Sequence, residues 1–348
     1  MRGLTQLTSV TISNGVTSVG DFAFQNCTNL RTLIFPDSVV SMGPNVFTGC
    51  SNIQTLRLSA NSSAVYRGEF DGLVNLRSVF MPSASGVDML GDLFRNGDGT
   101  LVYQYPYANN AAYTRYIPSN LSDITIAGGD IHMGFFSGCG MVKKVTFGKD
   151  VTAYGKSMFR GCGGITELVF EQYPFNENSE TEISESSLHV GYDRFSLGKL
   201  LSKYAFGGGQ ERLQLPVPDD RRHLPESQWY VIYEDATIDA CRCYVPTSLK
   251  KIEIQSGLIG HYALLNLDPV EELTFGKDVT FQSFACSDMD NLKTVNLEAG
   301  VKVQKYHGKV FHQCPNLETI NFKGTEEEFL AIQDQLGITS SYTVNYIA

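Results

Sequence analysis

The segments Leu7-Thr8-Ser9-Val10-Thr11-Ile12, Leu30-Arg31-Thr32-Leu33-Ile34-Phe35, Ile53-Gln54-Thr55-Leu56-Arg57-Leu58 and Leu76-Arg77-Ser78-Val79-Phe80-Met81 begin at positions 7, 30, 53 and 76, a constant stride of 23 residues. In each, apolar residues take the first, fourth and sixth places. A fixed period of about 20 to 29 residues with this spacing marks a solenoid, in which each copy contributes a strand that stacks on the next. Side chains alternate along a strand, so Val10 and Ile12 are expected to point inward and Ser9 and Thr11 outward, with Leu7, Phe24 and Cys27 completing that coil's interior. No coil buries its apolar side alone. The core is therefore expected to be a long ladder, and any function must be read from a surface.

The remainder of each copy is also shared. Val16-Thr17-Ser18-Val19-Gly20, Phe22-Ala23-Phe24 and Cys27 are matched by Val39-Val40-Ser41-Met42-Gly43, Val46-Phe47 and Cys50. Phe136 with Cys139, and Val151-Thr152-Ala153-Tyr154-Gly155 with Phe159 and Cys162, repeat the pattern. These residues resemble the BspA-like leucine-rich repeat family. The resemblance is strong over residues 4–94 and 119–170 and weaker over 249–325, where Leu249, Val270, Leu292 and Leu317 still open strands but Cys286 stands one residue early and His307 replaces the turn glycine. It implies a leucine-rich repeat solenoid: mainly β, one short parallel strand per coil, short helical or irregular turns and a C-terminal capping helix. The expected layout of 1–348 is a single array: regular repeats 4–94, a tyrosine-rich enlarged coil 95–118, repeats 119–170, a long enlarged coil or insertion 171–248, repeats 249–322 and a cap 323–348. Thr325-Glu326-Glu327-Glu328 reads as a capping box before Phe329, Ile332 and Leu336, and Tyr342–Tyr346 as a last strand.

Composition excludes several classes. Charged residues make up 18% and the formal net charge is -10, without the clustered Lys and Arg that phosphate contacts require, so no nucleic-acid partner is expected. No apolar run approaches a membrane span. Cys27, Cys50, Cys139, Cys162 and Cys314 share one inward slot that Leu73 fills in the third copy, which favours buried free thiols over disulfides between stacked coils. Cys241-Arg242-Cys243 lacks a second ligand pair, so zinc is not expected, and neither is any other metal or cofactor. Glu171, Glu177, Glu180, Glu182 and Glu185 read as a solvated loop without calcium-loop spacing. His307 and His312 beside Lys305 and Lys309, the run Asp219 to His223, and Gly207-Gly208-Gly209 have no catalytic context. The chain is read as a non-enzyme.

Recognition is expected on two surfaces. Tyr103, Tyr105, Tyr107, Tyr113 and Tyr116 crowd the first interruption, either as contact residues or as packing, with Tyr103, Tyr105 and Tyr107 spaced for an extra strand. Outward strand positions are mostly small and hydroxylated (Ser9/Thr11, Thr32/Ile34, Thr55/Arg57, Ser78/Phe80, Asp123/Thr125, Lys144/Thr146, Glu167/Val169, Lys251/Glu253, Glu272/Thr274, Thr294/Asn296, Thr319/Asn321). Only Ile34, Arg57 and Phe80 form an apolar and cationic patch. Tyr116-Ile117-Pro118 and Tyr244-Val245-Pro246 each lead into a repeat strand, so both interruptions read as enlarged coils. The resemblance implies a protein-binding or adhesion module of a bacterial cell-surface or secreted protein, with a host, matrix or bacterial protein as partner; some family members bind fibronectin and fibrinogen. The alternative is a structural subunit of a larger surface or virion assembly. With no capping segment before Leu7, the chain reads as a piece of a longer protein.

Overall fold

The structure, a computed structural model, describes residues 1–62, 68–94, 100–103, 114–132, 134–154, 159, 162–172, 229–233, 243–246, 248–260, 263–264, 267–304 and 309–347. They fall into two compact units that meet in sequence between Ile165 and Thr166.

In the first unit the strands are β1 (Ser18–Val19), β2 (Thr32–Ile34), β3 (Ser41–Met42), β4 (Thr55–Arg57), β5 (Ser78–Met81), β6 (Thr100–Tyr103), β7 (Thr114–Ile117), β8 (Asp123–Ile131) and β9 (Lys144–Tyr154). β2, β4, β5, β8 and β9 pair in parallel in that order, so Thr32, Thr55, Ser78, Asp123 and Lys144 share one register row and Leu33, Leu56, Val79, Ile124 and Val145 the next. β1 and β3 pair in parallel on another side of the coils. The apolar places of the repeat build the core as expected: Leu30, Ile53, Leu76, Leu121 and Val142 enter it, and Phe35, Leu58, Met81, Ile126 and Phe147 close it, all fully buried or nearly so. A spine of rings, Phe24–Phe35–Phe47–Phe70–Phe94, runs through this core with centroids 6.1, 5.8, 6.4 and 5.7 Å apart. Such spacing suits edge-on and tilted aromatic contacts.

The second unit contains β10 (Glu167–Phe170), β11 (Trp229–Tyr233), β12 (Cys243–Pro246), β13 (Lys251–Ile259), β14 (Glu272–Phe281), β15 (Thr294–Glu298), β16 (Lys302–Val303), β17 (Thr319–Lys323), helix α1 (Glu326–Leu336) and β18 (Thr343–Ile347). β10, β13, β14, β15, β17 and β18 form its parallel ladder. α1 begins with the capping box: Glu328 N donates to Thr325 Oγ1 at 3.3 Å and Thr325 N to Glu328 Oε2 at 2.8 Å. It ends at Gly337, whose φ of 66° is the left-handed conformation glycine adopts without cost. Phe329 packs its ring against Phe322 and Tyr346, closing this end of the core.

Among the described residues, six turns use the left-handed region just before the cysteine slot, at Asn26, Gly49, Gly72, Gly138, Asp288 and Gln313. Gly72 has a second reason to lack a side chain: a Cβ there would lie 3.0 Å from the backbone nitrogen of Gly49 one coil earlier.

Three expectations need correction. Residues 7–12 form no strand, and Leu7, Val10 and Ile12 are only half-buried, whereas the same places of the next copy, Leu30, Leu33 and Phe35, are fully buried. Val169, expected to face outward, is 4% exposed. Cys286 is not an early member of the cysteine slot. Its N–H donates to Val310 O as Phe24 N–H does to Val46 O, and Leu292 N–H donates to Met289 O as Leu30 N–H does to Cys27 O. Cys286 thus fills the phenylalanine slot, and Met289 the cysteine slot.

Tyr103 lies on a strand, and both interruptions show an antiparallel pairing that the sequence reading did not contain. β6 pairs antiparallel with β7, from Thr100 opposite Ile117 to Tyr103 opposite Thr114, and β11 pairs antiparallel with β12, Val231 opposite Tyr244. Each enlarged coil therefore ends in a hairpin whose second strand runs into Pro118 after Tyr116-Ile117 or carries Tyr244-Val245-Pro246. Tyr105, Tyr107, Tyr113, His307, Lys305, Cys241, Gly207–Gly209, Asp219–His223 and the acidic residues from Glu177 to Glu185 lie outside the described residues.

Candidate functional site

In-register pairing brings the three strand-borne candidates together. Ile34 stands opposite Arg57, and Arg57 opposite Phe80, on the outward face of β2, β4 and β5. This follows from the stride of 23: with no insertion between the copies, the sixth-minus-one place of each strand falls on one line. Ile34 is 50% exposed, while Arg57 and Phe80 are half-buried. The guanidinium carbon of Arg57 lies 4.6 Å from the centre of the Phe80 ring, a cation–π geometry.

Arg57 is not the free cation that the sequence suggests. It forms a two-pronged pair with Asp37, Nη1 to Oδ1 at 2.9 Å and Nη2 to Oδ2 at 3.2 Å, and donates to Phe35 O at 3.0 Å. Asp37 also accepts from Ala60 N at 2.9 Å. The Arg57 guanidinium, helped by that backbone N–H, holds the Asp37 carboxyl below the usual carboxylate range. The patch is thus an aliphatic and an aromatic side chain with a compensated, planar ion pair between them. Asp37 follows Pro36 in the turn after β2, and the turn's stacking under the next coil is what carries it to Arg57.

The same face in the second unit is polar. Asn345 Nδ2 donates to Asn321 Oδ1 at 3.0 Å, Asn321 Nδ2 to Asn296 Oδ1 at 2.7 Å, and Asn296 Nδ2 to Glu272 Oε1 at 3.0 Å and Thr274 Oγ1 at 2.9 Å. Lys251–Glu272, Lys250–Glu271 and Lys293–Glu271 pairs run beside it. These groups satisfy one another and read as coil-to-coil stitching.

A second stitch escaped the sequence reading. Asn29, Asn52, Asn75 and Asn316 each donate from Nδ2 to a carbonyl of the preceding coil, at Thr5, Thr28, Ser51 and Asp290, over 2.7 to 2.9 Å. The signal is present in the sequence, an Asn two places after the cysteine slot. Cys27, Cys50, Cys139, Cys162, Cys286 and Cys314 are free and buried. Cys50 Sγ donates to Phe24 O at 2.9 Å and Cys162 Sγ to Phe136 O at 2.8 Å. Burial pushes the Cys50 thiol up to about 11 and the Cys314 thiol up to about 12, the opposite of an activated nucleophile.

Tyr103 lies on β6, where its backbone faces Thr114. His312 stacks edge-on against Phe284 at 5.2 Å, a packing contact. Among the described residues no group of three or more His, Cys, Asp or Glu could hold a metal ion, and no helix is long and apolar enough to cross a membrane.

The model of the BspA type leucine rich repeat region matches this chain in six copies, over residues 2–96, 110–190 and 237–333. No curated protein matches it. Among solved structures, the chain is similar to a leucine-rich repeat protein from Bacteroides ovatus ATCC 8483, at 12% identity over 100% of this chain and 86% of that one, TM-score 0.30. It is also similar to a leucine rich cell surface protein from Faecalibacterium prausnitzii A2-165, at 16% identity over 98% and 86%, TM-score 0.23. A third likeness is to the pneumococcal vaccine antigen PcpA, at 12% identity over 95% and 71%, TM-score 0.23.

Proposed function

The chain belongs to the BspA-type leucine-rich repeat family, and from that membership we propose that it is a non-enzymatic protein-binding module that recognises its partner through Ile34, Arg57 and Phe80. One observation carries the reading. On the outward face of β2, β4 and β5, where the neighbouring places hold the hydroxyl side chains of Thr32, Thr55 and Ser78, Ile34 leaves half its surface in water beside the Arg57–Phe80 stack. Exposed apolar area with an adjacent arginine and aromatic ring is the composition of binding hot spots. The Asp37 pair fixes the guanidinium in advance, so little side-chain freedom remains to be lost on binding.

Tyr103, Tyr105, Tyr107 and Tyr113 extend the same proposal to the hairpin region, on residue type alone. A cell-surface or secreted location belongs to this reading, supported by the family resemblance, and antibody labelling of intact cells tests it.

Ile34→Asp is the decisive variant, since a half-exposed side chain tolerates a polar replacement. It is expected to leave the melting curve unchanged and to weaken capture by immobilised fibrinogen or fibronectin at least about fivefold, the effect of losing an anchor worth about 1 kcal/mol. Undiminished capture by Ile34→Asp and Phe80→Ala, with folding intact, rejects the patch. Capture by neither matrix protein rejects the matrix partner.

A further inference from the structure

Glu69 occupies a place that other coils fill with apolar side chains. It precedes Phe70 as Ala23 precedes Phe24, Val46 precedes Phe47, Ala285 precedes Cys286 and Val310 precedes Phe311. Val46, Ala285 and Val310 are fully buried, and Glu69 is 4% exposed. Among the described residues its Oε1 has no hydrogen-bond partner. A buried carboxyl with an orphaned oxygen is costly when ionised, and nothing in the repeat's packing calls for it.

Its position gives it leverage. On either side of Glu69 the backbone is bonded to the segment that opens the tyrosine-rich interruption: Gly68 N donates to Asp92 O at 2.8 Å and Phe70 N to Leu93 O at 2.9 Å. That segment, the 3-10 turn Leu90–Leu93, is tied to the hairpin in turn, because Asp92 Oδ1 accepts from Arg115 Nε of β7 at 2.8 Å. The bonds flanking Glu69 are therefore part of the seam between the third coil and the hairpin's base.

We propose that Glu69 is a proton-operated latch on this seam, closed while its carboxyl is neutral and loosened when the carboxyl ionises. Among the described residues, the elements around it bring few charges to compensate ionisation. Its own turn carries Asp71. The preceding coil presents the backbone N–H groups of Val46 and Asn45, and the following segment carries Asp92, already engaged by Arg115. Burial pushes the Glu69 carboxyl up to about 7, against the opposing pull of the Val46 and Asn45 N–H groups and with a further upward push from Asp71.

The direction follows from linkage. At acidic pH the carboxyl is protonated whether the seam is open or closed, and the latch has its full strength. As pH rises from the ordinary glutamate value of 4.5 towards about 7, only the open form ionises freely, so the seam weakens; above that range both forms are ionised and the loss levels off.

Hydrogen exchange on the full chain at about pH 5.5 and about pH 8.5, with labelling times scaled to intrinsic exchange, reads the latch directly. Amides of 68–73 and 90–94 are expected to lose protection about tenfold or more at the higher pH in the wild type and to show no such loss in Glu69→Gln. Wild-type protection that does not change with pH, or an equal change in Glu69→Gln, overturns the proposal. Should Glu69→Gln fail to fold by circular dichroism, the carboxyl carbon of Glu69 is followed by NMR in the wild type. Titration near neutrality then supports the latch, and titration in the ordinary glutamate range overturns it.

Discussion

A thiol is a small apolar group with a weak donor, and both properties are used at Cys50 and Cys162, which fill the coil interior while their S–H groups reach a carbonyl of the coil before. With Cys50 and Cys314 raised to about 11 and about 12 by burial, Cys27, Cys50, Cys139 and Cys162 are expected to resist a thiol reagent at neutral pH until denaturant is added. Rapid modification of all of them in the native protein contradicts the packing described. Cys50→Asp leaves a buried, unpaired charge and is expected to cost about 3 kcal/mol or more, measured by urea unfolding. The slot itself was legible from spacing; that Met289 occupies it while Cys286 takes the phenylalanine place was not. In sequence both strings look like a shifted cysteine, and the backbone bonds to Val310 and Met289 are what distinguish them.

Elements were legible in proportion to how locally they are determined. α1 carries its start signal in Thr325 and Glu328 and its stop signal in Gly337, so the sequence sufficed; Thr325→Ala is expected to remove about 1 kcal/mol of stability, read as a lower urea midpoint with an unchanged slope. The strand expected over 7–12 has the same local pattern as β2 and β4 yet does not form. Pattern states what a segment can bury, and each coil's burial depends on the packing it meets. The candidate patch shows the same division. Register alone aligned Ile34, Arg57 and Phe80, whereas the Asp37 pair needs a turn to pass beneath a coil 20 residues further on, and no strand pattern encodes that.

At the scale of a whole unit, stability is shared between neighbours and not held in one centre. Leu56, 1% exposed at the middle of β4, touches both flanking coils through the ladder. Leu56→Ala is expected to cost about 2 to 5 kcal/mol, and hydrogen exchange should show the loss spreading first to β2 and β5, the strands paired with β4. Equal loss of protection across every strand of the first unit would show that it unfolds as one block. The interruptions were recognisable as breaks in the period but not as hairpins, because tyrosine-rich and polar stretches carry neither a repeat nor a two-residue turn signal.

Those hairpins bear on how a chain of this kind can vary without losing its fold. Tyr103 and Thr114 face each other across a closed antiparallel neck, so the two ends of the intervening segment are held together by their own bonds, and the ladder bears none of that task. Exchange or shortening of residues 104–113 as a cassette is then expected to leave the spacing of the coils on either side unchanged. A protein built this way offers a graft site: replacing 104–113 by Asn-Gly, the sequence favoured in a two-residue hairpin turn, is expected to leave the melting temperature of the scaffold unchanged.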